Sequence, residues 1–177
     1  AGNHDKCFDE KYGEMADWLA EAIAELEKND IIYLKDSSIE LEGIKFYGMP
    51  WTPWFFGEYW AFNKKIGPEM QEKIDMIEPC DVLITHGPPN GYGDLVNNWR
   101  QPNTNVGCEL LLNRIIDIKP VLNVFGHIHE GYGVYTNEDT TFVNASICTK
   151  NYYPTNKPIV IDLTEVDGKI IANYVEE

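Results

Sequence analysis

Val121-Leu122-Asn123-Val124-Phe125-Gly126-His127-Ile128-His129 decides how this chain reads. Five residues suited to a buried strand run straight into a glycine-led turn that carries two histidines. The same order occurs upstream, where Asp81-Val82-Leu83-Ile84-Thr85 ends at His86-Gly87-Pro88-Pro89. Between them, residues 108–118 read as a helix, with Leu111, Leu112, Ile115 and Ile116 apolar and Arg114 and Asp117 polar. Strand and helix alternating in this way mark an α/β domain with a mixed sheet system.

The flanks extend the pattern. Met15, Trp18, Leu19, Ala22, Ile23 and Leu26 recur at helical spacing and predict a helix over 11–28. Short strands are predicted at 31–34, 39–41 and 44–47, then a long ordered loop rich in aromatics and proline over 49–60. Pro68 opens a further helix whose apolar stripe is Met70, Ile74 and Ile77. Strands at 141–143, 159–163 and 170–175 follow, the last two joined by a turn at Glu165-Val166-Asp167-Gly168.

Composition narrows the function classes. At 177 residues the chain has room for a single domain, 1–177, at about 150 residues per domain. An apolar share of 44% and an aromatic share of 12% belong to a chain that buries a core. The 14 Lys+Arg against 29 Asp+Glu give a net charge of −15, which argues against nucleic-acid polymers and anionic membranes as partners. A phosphate substrate therefore needs a local cation. Cys7, Cys80, Cys108 and Cys148 are scattered and read as free thiols of a reducing, cytoplasmic compartment.

The histidines are where chemistry concentrates. His4, His86, His127 and His129 all sit in turns, three of them just past strand C-termini, where open α/β sheets assemble their sites. In an extended turn, alternate residues point the same way, so His127 and His129 could serve one cluster or two adjacent metals. Asn3, in Gly2-Asn3-His4-Asp5, offers a neutral amide oxygen as a ligand, and His4 beside it can face substrate. Asp5 would then hold the second nitrogen of His4 and favour its protonated form.

Gly2-Asn3-His4-Asp5, Thr85-His86-Gly87 and Gly126-His127-Ile128-His129, in this order, resemble the calcineurin-like metallophosphoesterase family. Tyr47-Gly48-Met49-Pro50-Trp51-Thr52-Pro53-Trp54-Phe55, His129-Glu130-Gly131-Tyr132-Gly133 and Val143-Asn144-Ala145-Ser146 bring the likeness closest to its metallophosphoesterase-domain-containing branch, which resembles class III cyclic-nucleotide phosphodiesterases.

That resemblance implies a four-layer αββα sandwich of two mixed sheets around a dinuclear site of two divalent ions, manganese, iron or zinc. By family role Asn3, His86 and His127 would ligate one metal and His129 the other. His4 would contact the phosphoryl oxygen, with Asp5 orienting it. The implied reaction is attack on a small or cyclic nucleotide phosphodiester by a metal-activated hydroxide. The family's opening Asp-x-His and metal-bridging Gly-Asp motifs do not occur in order, since Gly93-Asp94 follows Thr85-His86. The expectation is a domain lacking its N-terminal strands, at least one βαβ unit of roughly 30 residues.

Two other readings stand beside the enzyme: a non-catalytic binding module of the same fold, and a half-domain completed by a missing N-terminal segment or a separate chain. Homo-oligomerisation stays open. Trp51 and the aromatics after it could stack a nucleobase or pack as a lid. Asn144 and Ser146 could bind a nucleotide or cap a turn, and Arg100 could meet a phosphate or only water.

Overall fold

The computed structural model describes residues 1–175, the side chains of 14–16 excepted. Two 3-10 turns, Lys6–Phe8 and Glu10–Met15, lead into helix α1, Ala16–Lys28. The helix predicted over 11–28 thus starts late, because Tyr12 leaves helical geometry at φ −105°, ψ 49° and a glycine follows it. Met15, assigned to the apolar stripe, has its side chain outside the described residues. The strand predicted at 31–34 does not form. Ile31 and Ile32 stay exposed, and the edge position in the sheet goes to the next segment.

That segment is β1, Ser37–Leu41, which turns through Glu42-Gly43 into β2, Ile44–Met49. Both turn residues have positive φ, 51° and 80°, matching the twist of a tight hairpin. The aromatic loop pairs only β3, Thr52–Pro53, with β4, Asn63–Lys64. Then come α2, Pro68–Asp75, and β5, Val82–Thr85. A small ribbon of β6, Leu95–Val96, and β7, Thr104–Asn105, precedes α3, Glu109–Ile118. The chain continues as β8, Leu122–Phe125; β9, Gly133–Thr136; β10, Thr141–Asn144; β11, Val160–Val166; and β12, Lys169–Val175.

Six strands build one mixed sheet in the order β1-β2-β5-β8-β10-β9. Its inner four are mutually parallel and its edges antiparallel. Side-chain alternation gives the sheet two faces. On one, Tyr47, Leu83 and Phe142 pack with Met70 and Ile74 of α2, Ile77 just beyond it, and Leu111 and Ile115 of α3. Each fully buried Ile or Leu contributes about 1.5–3 kcal/mol. On the other, Val82, Leu122 and Val143 meet Ile161, Leu163 and Ala172 of the β11–β12 hairpin.

This is the α/β class that the sequence implies, with a central mixed sheet. Of the four layers, the described residues build helix, sheet and a second sheet that is a single antiparallel pair. Among the described residues no helix is long and apolar enough to cross a membrane. All four cysteines are free.

Candidate metal centre

Because β2, β5, β8 and β10 run parallel, their C-terminal ends share one edge of the sheet. Backbone bonds continue past the strand ends and stitch the following turns together. His86 N donates to Met49 O at 3.3 Å, Gly126 N to His86 O at 3.0 Å, and Ala145 N to Phe125 O at 2.8 Å. Thr85 Oγ1 donates to Gly87 O at 2.9 Å and holds the turn behind His86.

The Gly2-Asn3-His4-Asp5 turn lies against this edge. Ala61 N donates to Asn3 O at 3.0 Å, and Gly2 N donates to Asp5 Oδ2 at 2.6 Å. Gly2 is pressed on the His86 ring so closely that a Cβ there would stand 2.2 Å from Cε1. The Asn3 side chain is thereby aimed between two imidazoles. Its Oδ1 accepts from His86 Nε2 at 2.7 Å and from His127 Nδ1 at 3.1 Å. The two rings stand 4.8 Å apart.

His127 reaches this point through a left-handed backbone, φ 68°, which few non-glycine residues adopt. The condition of an extended Gly126-His127-Ile128-His129 turn is therefore not met, and the alternation rule does not apply. His129 faces elsewhere and opens a 3-10 turn, His129–Gly131. Its Nδ1–H donates to Thr149 O at 3.1 Å, leaving Nε2 as the free acceptor.

Burial sets the charge of the pair. Loss of solvent, then repulsion from His127, pushes His86 down from 6.5 to about 3. Loss of solvent, then His129, pushes His127 down to about 4. Both rings are neutral at pH 7. The unfolded chain gains protons on them as pH falls through 6.5, whereas the folded chain resists until far lower, so acid favours unfolding. Below pH 6.5 the metal-free chain should lose stability, about 2 kcal/mol per histidine by pH 5. Urea midpoints at the two pH values check this, and a His86→Gln, His127→Gln double variant should show most of that slope gone.

The donor set suits one divalent ion. Two neutral imidazole nitrogens and an amide oxygen converge at separations of 2.7 and 3.1 Å. Adjacent ligands around an ion with bonds of about 2.1 Å stand about 3 Å apart, so a cation can replace the two shared protons. His129, expected as a ligand for a second ion, stands apart from this donor set. Among the described residues no three His, Cys, Asp or Glu converge on a metal-sized point.

Other expected site residues part from their sequence reading. Asp5 turns its Oδ2 to the Gly2 amide, which shapes the turn, and makes no hydrogen bond to His4 among the described residues. The exposed His4 ring instead meets Trp60 edge-on at 5.0 Å. Trp51 packs into the protein. It is buried, its Nε1 donates to the Asp36 carboxylate, and its ring lies edge-on to Phe62.

Asn144 is fully buried and makes three hydrogen bonds inside the protein. Its Nδ2 donates to Gly93 O at 3.0 Å and Ile128 O at 2.7 Å, and its Oδ1 accepts from Ser146 N. It caps the turn that follows its strand and holds the histidine turn in place. Ser146 is buried beneath Gly126 with its Oγ unpartnered. Asp94 is buried too, binding Asn105 Nδ2 at 2.6 Å and Gly107 N at 2.9 Å, so it braces the β6–β7 ribbon.

The aromatics at the site are Phe55, 5.0 Å from the His127 ring, and Trp60, stacked on Phe55 at 5.6 Å. The sequence shows the aromatic cluster but not which members face the histidines, because the segment has no period to read.

The chain has relatives among known proteins. The chain is 45% identical to metallophosphoesterase domain-containing protein 1 of Homo sapiens and of Mus musculus, over 92% of this chain and 53% of theirs. A UPF0046 protein of Caenorhabditis elegans is 42% identical, over 76% of this chain and 33% of that protein. The chain thus spans about half the length, or less, of these relatives. One solved structure superposes with a TM-score of 0.55 at 18% identity, over 82% of this chain and 55% of that one, a likeness of fold. No protein-family model matches the chain.

Proposed function

The chain belongs to the metallophosphoesterase-domain family over the stretch it spans, and from that premise we propose that it carries the histidine half of a metal-dependent phosphoesterase site acting on small phosphodiesters, nucleotides included. The observation that carries the proposal is the meeting of Asn3 Oδ1, His86 Nε2 and His127 Nδ1 at the tips of parallel strands.

In this reading Asn3, His86 and His127 hold one divalent ion, and His129, steadied through its Nδ1–H, is the ligand for a second. Such ions supply the concentrated positive charge that a chain of net charge −15 lacks, and they lower the pKa of water. The protein's own contribution is to keep both imidazoles neutral, hence able to donate lone pairs at pH 7. His4, exposed at the mouth, is the group that hands a proton to the leaving oxygen. Phe55 and Trp60 wall the site and limit water on that side.

The test is release of p-nitrophenol from bis(p-nitrophenyl) phosphate by the full-length protein loaded with manganese or zinc. Metal-stimulated hydrolysis, abolished by a chelator, is the expected result. A full-length protein that binds two metals and hydrolyses no phosphoester would sink the proposal, leaving the non-catalytic binding module.

A further inference from the structure

Beyond the histidines, two loops bring flat surfaces together. Trp99 and Phe56 are both exposed, 84% and 65%. Arg100 lies across them, with its guanidinium carbon 4.5 Å from the Trp99 ring and 5.8 Å from the Phe56 ring. Arg100 is the only Lys or Arg between Lys73 and Arg114, and among the described residues it forms no ion pair.

The tip carrying Trp99 and Arg100 has a defined turn. Asn98 Oδ1 accepts from Arg100 N at 2.9 Å and from Gln101 N at 3.0 Å. Asp94 braces the ribbon's foot. Opposite, Phe56 joins the tip to the site. Its ring meets Phe55 edge-on at 6.3 Å, and Phe55 in turn lies 5.0 Å from His127. A continuous aromatic path therefore runs from the metal-binding histidines to an unpaired cation.

We propose that Phe56, Trp99 and Arg100 form the specificity platform of this site, holding the nucleobase of a nucleoside phosphodiester whose phosphate lies at the histidines. Flat rings and guanidinium planes left open to solvent are how single bases are gripped without regard to pairing. The stacked guanidinium also keeps its in-plane donors free for the base's edge or a ribose oxygen. The histidine end of this inference rests on the phosphoesterase reading above; the platform itself rests on the three side chains.

The experiment separates the two. With metal-loaded full-length protein, KM is measured for a p-nitrophenyl diester of thymidine and for methyl p-nitrophenyl phosphate. Trp99→Ala and Arg100→Ala should each raise KM for the thymidine diester, relative to the methyl diester, by about ten-fold. An unchanged ratio overturns the platform.

If the wild type hydrolyses neither ester, the phosphoesterase reading falls, and binding then decides the platform alone. Thymidine monophosphate should quench tryptophan fluorescence saturably, the signal falling in Trp99→Phe and the midpoint weakening about ten-fold in Arg100→Ala. No saturable quench, or one that ignores both changes, overturns the inference.

Discussion

His86→Ala in the metal-loaded full-length protein is expected to lower kcat/KM for an aryl phosphodiester about a thousand-fold or more, an effect of about 4 kcal/mol on the barrier, and to strip the protein of metal. The side chain provides one of three donors converging on a single point, its Nε2 2.7 Å from Asn3 Oδ1. Without it only His127 and Asn3 remain of that donor set. Removing the ring leaves a hole walled by Gly2 and His127, and Asn3 Oδ1 keeps one partner instead of two.

Activity and bound metal should fall together, while the near-UV spectrum of the core aromatics stays native. The variant should also shed part of the acid sensitivity expected of the metal-free chain, since one of its two depressed imidazoles is gone. Undiminished hydrolysis by a variant that retains its metal would remove His86 from the site.

Gly131→Ala is the substitution with the largest expected cost to stability. The new methyl would lie 1.9 Å from Gly93 O and 2.4 Å from Gly93 C, deep inside contact distance. The obstacle is backbone, so no side chain can swing aside, and Gly93 itself sits at φ 60° in a tight turn. Overpacking of this kind costs about 3 kcal/mol or more, which for a chain of this size lowers Tm by roughly 6–12 °C.

The damage should reach the metal centre. Gly93 O takes the Asn144 amide, and the same amide holds Ile128 O beside His127. Weaker metal retention is thus expected with the lower Tm. Gly13→Ala is the control: among the described residues nothing lies within 4 Å of its added Cβ, and a change within about 0.5 kcal/mol is expected. A Gly131→Ala melting curve that overlays the wild type would mean that the close pass of residues 93 and 131 is not maintained.

The hairpins and helices were legible because their signals are local. Glu42-Gly43 and Asp167-Gly168 both adopt the paired positive φ that their composition suggests. Pro68 starts α2, and Met70, Ile74, Leu111 and Ile115 are buried at helical spacing. Where two local signals competed, reading failed. Residues 31–34 look like a strand, but β1 beside them makes the pairing with β2. Strand β9 passes unseen because Gly133-Val134-Tyr135-Thr136 is short, and its place is set by pairing with β10.

At the site, identity was legible and arrangement was not. Histidine after a strand and a glycine is visible in one dimension. Which of Trp51, Phe55 and Trp60 turns toward His127 is not, since no periodicity runs through that loop. Asn144, a polar side chain after a strand, read equally as a nucleotide contact or a turn cap. Only its three partners reveal that it caps the turn and ties it to Gly93 and Ile128.

Sequence alone thus determined the α/β alternation and the three turns that carry the four histidines. Those follow from side-chain type and short-range spacing, which neighbours in the chain dictate. Tertiary structure decided that Asn3 meets His86 and His127, partners 83 and 124 residues away. It also directed His129 to Thr149 and set Arg100 between two open rings. Such meetings depend on the parallel register of β2, β5, β8 and β10 and on how turns pack across it, and no local pattern encodes that register.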